Sequence, residues 1–311
     1  MKAAVVTDYA IPPQYQDFEE PHAHGADDLI VDVLAAALSP RVRSQAAGSH
    51  YSSEGELPLI PGIDGVGRTA SGELRYFLLP DGNRGAMAER TVVDVRRSIR
   101  LPTGVDPVQI AAAMNPVMSS WVALRRRIEF RRGQKAMVLG AEGNAGRLAI
   151  QVALHLGASE VIGVGRDGTG SRYSRGSASS IEQGIPLDVA GSGVDVVLDY
   201  LWGQPTADAL RTIVPARAKD SQPLTWVQIG SVAALESPIP SAALRAINLR
   251  IVGSGQGSVD PGDIKDELVR IVRAVSKGTF EVAASPIPLR EVESAWSQPS
   301  DGKRIVLVPG R

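Results

Sequence analysis

A chain of 311 residues with 33 Lys and Arg against 34 Asp and Glu carries a formal charge of −1, which argues against a dedicated nucleic-acid or membrane-surface protein. Its length suggests two domains with a substantial core, and the absence of cysteine removes disulfides, thiolate zinc sites and cysteine nucleophiles together. No apolar run approaches the roughly 18 residues that span a bilayer, and the start MKAAVVTDYA has no export segment, so a soluble cytoplasmic protein is expected.

The first hundred residues read as β-rich with one short helix. Residues 2–6 and 29–38 have strand character. Ser39-Pro40 then supplies a hydroxyl cap followed by proline at the first helical position, which predicts a helix over 41–47 stopping at Gly48. Gly62, Gly65 and Gly67 fall where a strand bends or another backbone comes close. Residues 74–79 and 87–93 are further strands separated by a DGN turn. Asp106-Pro107 opens a helix that Pro116 is expected to interrupt, with a second helix over 119–127. The run Arg125-Arg126-Arg127, with Arg131 and Arg132, reads as a solvated helix end favoured by the dipole. A nucleic-acid patch would want interleaved aromatics, and Phe130 stands alone.

Residues 135–166, KAMVLGAEGNAGRLAIQVALHLGASEVIGVGR, organise the rest. Strand, glycine turn, helix and strand within about thirty residues make a βαβ dinucleotide-binding pattern. The glycines fall at Gly140, Gly143 and Gly146, a G-x-x-G-x-x-G spacing. They give a tight turn, bare backbone for a pyrophosphate, and a helix N-terminus whose amides and dipole favour an anion. The competing reading is a glycine turn that only packs helix on sheet. Where units that prefer NAD place an Asp or Glu about twenty residues past the glycines, this chain has Arg166. A guanidinium can give a 2′-phosphate charge-assisted bonds worth roughly 1.5–3 kcal/mol each, so NADP(H) is the expected cofactor. Neighbouring Asp167 keeps the alternative open, since a carboxylate on the ribose would favour NAD.

After Arg166 the expected second helix is hard to find, because 167–193 are rich in Gly and Ser with little helical periodicity. Alternation resumes with strands at 194–201, 226–230 and 249–253 and helices at 206–214 and 241–247. That order predicts a parallel sheet with helices on both faces. A long amphipathic helix over 264–275, a short one near 292–296 and a strand at 305–308 close the chain. Ligands of such sheets lie at the carboxyl ends of the strands. Five turns should therefore surround the cofactor: Gly143-Asn144-Ala145, Gly165-Arg166, Tyr200-Leu201, Gly230-Ser231 and Gly253-Ser254-Gly255. Asp199, at a strand end, could serve the ribose or the structure. His22, His24, His50 and His155 do not make a metal site by their spacing, and His155 reads as solvated.

The segments MKAAVV, PGIDGVG (61–67), GAMAERTVV (85–93), LPTGVDPVQIAAAM (101–114), GAEGNAGRLAIQVALHLGA (140–158), DVVLDYLWG (195–203) and the closing RIVLV resemble the medium-chain dehydrogenase/reductases, in their zinc-free quinone oxidoreductase-like branch. The resemblance implies an α/β protein of two domains. A GroES-like β-rich catalytic domain would take residues 1–117 and 260–311, and a doubly wound Rossmann domain binding NADP(H) would take 118–259. It implies NADPH-dependent reduction of a quinone or other activated carbonyl or alkene, a small-molecule partner and a homodimer. The zinc enzymes' Gly-His-Glu and catalytic Cys correspond here to Gly62-Ile63-Asp64 and the Leu38-Ser39-Pro40 region, without metal ligands. By the same resemblance Ser119 lies beside the nicotinamide amide, and Tyr51 and Ser39 line the substrate cleft as its catalytic groups. Tyr51 or solvent would supply the proton, although Tyr51 also reads as a surface aromatic of a loop. Arg172, Tyr173 and Arg175 are candidates for the phosphate contacts that relatives make from the missing helix. A second class of function stays open: a catalytically silent NADPH-binding sensor or scaffold, since the expected cleft offers no strong acid–base residue.

Overall fold

The computed structural model describes residues 1–51, 53, 55–175, 179–299 and 301–310. They form two compact units, Met1–Asn115 with Leu268–Arg311, and Pro116–Glu267.

The first unit begins with β1 (Lys2–Val5), paired antiparallel with β2 (Gln14–Asp17), and β3 (Asp28–Ala37). Helix α1 (Pro40–Ala46) starts where the cap chemistry predicts. Ser39 Oγ accepts from the Val42 amide at 3.1 Å, and Gly48 takes φ 64° just past the end. Strands β4 (Asp64–Thr69), β5 (Leu74–Leu78), β6 (Arg90–Asp94) and β7 (Ser98–Arg100) follow. The glycines of β4 permit close packing: a Cβ at Gly65 would lie 2.9 Å from the Phe77 ring and 3.0 Å from the Ala35 carbonyl. Val5, Val33, Ile60, Phe77 and Met87 form the core of this unit. The sequences of β2 and β7, QYQD and SIR, are too short to show alternation, and the sequence reading assigned neither.

Helix α2 (Pro107–Val122) runs unbroken through Pro116 and continues into a π turn over Ala123–Arg127, so the expected interruption does not occur. A helix-interior proline costs about 3 kcal/mol. Ile110, Met114 and Val117 are fully buried along the same helix. At about 1.5–3 kcal/mol each, that burial outweighs the lost bond.

The second unit carries β8 (Lys135–Leu139), α3 (Asn144–Leu156), β9 (Glu160–Val164), β10 (Gly170–Tyr173), β11 (Glu182–Ile185), α4 (Leu187–Gly191), β12 (Val196–Asp199), α5 (Gly203–Ile213), β13 (Leu224–Gln228), α6 (Ala243–Ala246) and β14 (Leu249–Gly253). The sheet order is β11-β10-β9-β8-β12-β13-β14. Strands β9, β8, β12, β13 and β14 are parallel, whereas β10 is antiparallel to both β9 and β11. The Rossmann sheet is therefore parallel through its centre and mixed at one edge. A hairpin stands where strand–helix alternation would place a crossover helix. An antiparallel return needs only a short turn, whereas a parallel one needs a crossover of a dozen or more residues. Met137, Leu139, Ile162, Leu210, Ile213 and Trp226 pack around the sheet.

The hairpin also corrects a site assignment. Gly170 pairs with Val164 and Tyr173 with Val161, so β10 runs back toward the amino end of β9. Arg172 and Tyr173 are thus carried away from the strand ends where a nucleotide would lie. Arg172 instead pairs with Glu160 at 3.4 Å and Glu182 at 3.4 Å.

Helix α7 (Pro261–Ser276), β15 (Ala284–Pro288), α8 (Val292–Ser297) and β16 (Arg304–Val308) complete the chain. Among the described residues the sheet of the first unit has the order β15-β16-β3-β4-β5-β7, with β6 also on β3. Within the arginine cluster, Arg131 and Arg132 are exposed as expected of a solvated end, whereas Arg125 and Arg126 are tied to a buried carboxylate. Wholly buried Glu267 accepts from Trp121 Nε1 at 2.8 Å and Arg125 Nε at 2.8 Å, and Arg126 reaches it at 2.9 Å and Asp263 at 2.8 Å. Removing the one carboxylate would take the partner from Arg125 Nε and Trp121 Nε1 and leave Arg126 its contact with Asp263. Glu267→Ala should destabilise the protein by about 3 kcal/mol, the low end for a buried pair because both arginines are partly exposed. An unchanged urea midpoint would show that the knot is not structural.

Candidate functional site

Gly140 follows β8 at φ 86°, and the Gly143 amide returns to its carbonyl at 3.1 Å. A Cβ at Gly146 would lie 2.2 Å from the Gly140 oxygen and 2.8 Å from Ala141 Cα. Helix α3 therefore rests directly on the loop, and only glycine fits at that position. Its N-cap is Gly143, which provides no side-chain acceptor. A helix start of this kind presents its dipole and leading amides, those of Asn144 and Ala145 among them, to an outside anion. The bare corner fits the pyrophosphate of a dinucleotide.

Strand register gathers the other turns. Val164 aligns with Leu139, Leu139 with Asp199, Asp199 with Gln228, and Gln228 with Gly253. All five turns named from the sequence thus leave one edge of the parallel sheet. Asp199 fixes the central one. Its Oδ1 accepts from the amides of Leu201 at 2.9 Å and Trp202 at 3.0 Å, and its Oδ2 from Thr206 Oγ1 at 2.6 Å and Trp226 Nε1 at 2.9 Å. With both oxygens occupied and the side chain buried, Asp199 has the structural of its two possible roles. Its carbonyl also takes the amides of Ile229 at 2.8 Å and Gly230 at 3.1 Å. A Cβ at Gly230 would meet the Tyr200 oxygen at 2.9 Å, so these two turns touch backbone to backbone. Leu201 packs over Gly140, 3.1 Å from where a Cβ would stand. Ser231 is exposed beyond Gly230, and the Ser254 amide ties β14 to Gln228 at 2.8 Å.

Ser119 and Tyr200 come together although 81 positions separate them, with their hydroxyls 3.0 Å apart. Burial pushes the Tyr200 phenol up to about 12, against the smaller opposing effect of its bonds to Ser119 and Ser120. The phenol therefore stays protonated and can donate.

At the end of β9, Arg166 projects into solvent with its side chain 96% exposed. Asp167 turns away from it: its Oδ1 accepts from the Thr169 amide at 3.0 Å and its Oδ2 from the Thr169 hydroxyl at 2.8 Å. Sequence reasoning passed over Glu142. It lies inside the glycine loop and brings Oε2 to 3.6 Å from Arg166 Nε. The legible signal was a charged residue between the first two glycines.

In the other unit, Ser39 is buried and its oxygen is engaged as the α1 cap. Tyr51 is 82% exposed and stacks on His50, with ring centroids 4.4 Å apart. Burial, with Arg41 nearby, holds the His50 imidazole below its usual range, and Arg41 itself pairs with Asp81 at 2.9 Å. Among the described residues no group of three or more His, Cys, Asp or Glu could hold a metal ion, and no helix is long and apolar enough to cross a membrane.

No family model matches the chain. Over 99% of its length it is 30% identical to a probable NADPH-dependent quinone reductase of Emericella nidulans, which is covered in full. The chain belongs to the medium-chain dehydrogenase/reductases, in their quinone oxidoreductase-like branch. An NADPH-dependent alkenal/one oxidoreductase of Arabidopsis thaliana is 28% identical over 56% of this chain and 45% of that protein. The fold is shared with the quinone oxidoreductase of Thermus thermophilus, whose structure was also solved with NADPH. The TM-score is 0.80 at 24% identity, covering 99% of this chain and all of the other.

Asp64, which the sequence resemblance sets against the glutamate of the zinc enzymes' motif, is buried. It accepts from the Tyr76 hydroxyl at 2.8 Å, and Arg304 lies buried nearby. Burial raises the Asp64 carboxyl to about 6, while Tyr76, Arg304 and Arg41 hold it down. A folded-state value above the unfolded 3.8 means that the native state binds the proton more tightly. The resulting stability is fully present below pH 3.8 and is lost as the pH rises through 6. The loss amounts to about 3 kcal/mol. Urea unfolding of Asp64→Asn across pH 4–7 should lack this decline; a slope equal to that of the natural protein would contradict it.

Proposed function

We propose that this chain is an NADPH-dependent oxidoreductase that delivers hydride to a quinone or another activated carbonyl or alkene without zinc. The observation carrying the reading is the uncapped glycine corner at 140–146, with Arg166 at the neighbouring strand end. NADPH, when bound, supplies the hydride, and the protein supplies position and electrostatics. We assign the nucleotide to the unit Pro116–Glu267 and the acceptor to the unit formed by both chain ends. Gly140, Gly143, Asn144 and Ala145 would receive the pyrophosphate on bare backbone. Gly165, Gly230, Ser231, Gly253 and Ser254 would keep the neighbouring turns low enough to admit it. Arg166 would donate to the 2′-phosphate. The Ser119 hydroxyl, held beside the protonated Tyr200 phenol, would orient the carboxamide of the nicotinamide, with Leu201 packed at the corner below.

Tyr51 would donate a proton to the developing oxyanion, or a hydrogen bond to it, with Ser39 as a second polar group. The low affinity of His50 for a proton leaves its ring neutral beside the phenol. Zinc is not invoked. The positions that correspond to its ligands offer the one carboxylate of Asp64, which already accepts from Tyr76.

NADPH oxidation followed at 340 nm against a panel of quinones and enones tests the activity. Tyr51→Phe should lower turnover about a hundredfold, the low end of general-acid contributions, and leave NADPH affinity unchanged. Equal turnover removes Tyr51 from the mechanism, and NADPH binding without oxidation of any panel member would favour the silent sensor. Arg166→Ala should weaken NADPH about ten- to a hundredfold and NADH far less. Equal losses would show that Arg166 does not read the phosphate.

A further inference from the structure

The glycine loop holds a charge that a phosphate-binding corner does not need. Glu142 sits between Gly140 and Gly143 and reaches across to the end of β9, where its Oε2 is 3.6 Å from Arg166 Nε. Its other oxygen lies over bare backbone: a Cβ at Gly165 would stand 2.8 Å from Glu142 Oε1. Asp167 flanks the same spot from the other side, its Oδ1 3.3 Å from that Cβ position. Two carboxylates therefore flank Gly165, and Glu142 is the one that faces the Arg166 guanidinium, at the place assigned to the 2′ position of the nucleotide.

We propose that Glu142 sets the cofactor preference of this site by competing with the 2′-phosphate for Arg166, which narrows the margin between NADPH and NADH. The proposal rests on the nucleotide reading above. A dianionic phosphate must detach the guanidinium from Glu142 and then remain close to the carboxylate. A ribose 2′-hydroxyl carries no charge, and a carboxylate is an acceptor for its proton. Glu142 therefore opposes one nucleotide and is neutral or helpful to the other. Asp167 is the weaker competitor, since both its oxygens already serve Thr169.

Exposure sets the scale. The side chains are 96% and 55% exposed. The pair is accordingly weak and screened by salt, and its removal should change affinity by about two- to fivefold and not by orders of magnitude. Gly165 is part of the device, because a side chain there would collide with the Glu142 carboxylate in its present position.

Fluorescence titration of NADPH and NADH against the natural protein, Glu142→Gln and the double variant Glu142→Gln/Arg166→Ala tests the proposal by binding alone. Glu142→Gln should tighten NADPH by about two- to fivefold while NADH stays level or weakens. The gain should shrink as salt is raised and vanish when Arg166 is also replaced. Parallel changes for both nucleotides, or a gain that survives without Arg166, would overturn this proposal and leave the nucleotide site standing. Failure of all three proteins to bind either nucleotide would overturn the nucleotide reading and this proposal with it.

Discussion

Helix α3 can begin where it does because position 146 has no side chain. With 2.2 Å between a would-be Cβ and the Gly140 oxygen, even alanine would lift the helix off the turn. That closeness fixes where the first amides stand relative to the end of β8, which turns a generic helix dipole into a positioned one. Asp199 fixes the opposite wall. A single buried carboxylate takes two backbone amides, a hydroxyl and an indole N–H, joining the end of β12 to α5 and β13. Neither residue needs to touch a ligand. Together they fix the turns after β8 and β12 and the neighbouring β13, where an extended nucleotide could lie across them.

The edge hairpin changes the surroundings of this site without changing its floor. Because β10 turns back after Gly168, the segment following Arg166 is a tight turn closed by Asp167 and Thr169, not the first turn of a helix. A helix there would bring its own N-terminal amides and further side chains to the same corner. The hairpin brings neither, and its cationic residue, Arg172, is spent on Glu160 and Glu182 at the far end. Recognition of the ribose end would thus fall on the few groups close by: Arg166, Asp167 and Glu142.

Local chemistry made most of this fold legible in the sequence. Ser39-Pro40 and Gly48 bracket α1 because capping and left-handed backbone are decided within a turn. The βαβ unit was legible because its period changes from strand to helix and back around fixed glycines. What escaped was decided by distant partners. Pro116 looked like a helix end, but burial along α2 carries the helix through it. Arg125 and Arg126 looked solvated because Glu267 lies more than 140 residues further on. The strand β10 was hidden because GSRY gains its pairing only from β9 and β11. Within the site, Ser119 and Tyr200 were each assigned to the nucleotide, yet their mutual bond at 3.0 Å could be seen only in three dimensions.

Three carboxylates show how environment assigns work to the same group. Asp199 is buried among four donors, and a carboxylate so supplied organises a turn. Asp64 is equally buried but accepts from Tyr76 with Arg304 and Arg41 acting through space, so desolvation dominates and the carboxyl holds its proton up to about 6. Below about pH 6 the proton keeps this carboxyl from ligating a metal, which needs the deprotonated form, and at neutral pH its Oδ2 is already engaged by the Tyr76 hydroxyl. Glu142 is half exposed and meets an arginine that is nearly wholly so. Water screens it, and its influence is confined to what approaches within a few ångströms. Such a charge contributes little to folding, and its consequence is felt when a second anion arrives at the same guanidinium. In the sequence Asp199 and Asp64 stand out by position and Glu142 does not; burial and donor count separate a turn-builder, a proton holder and a selector of ligands.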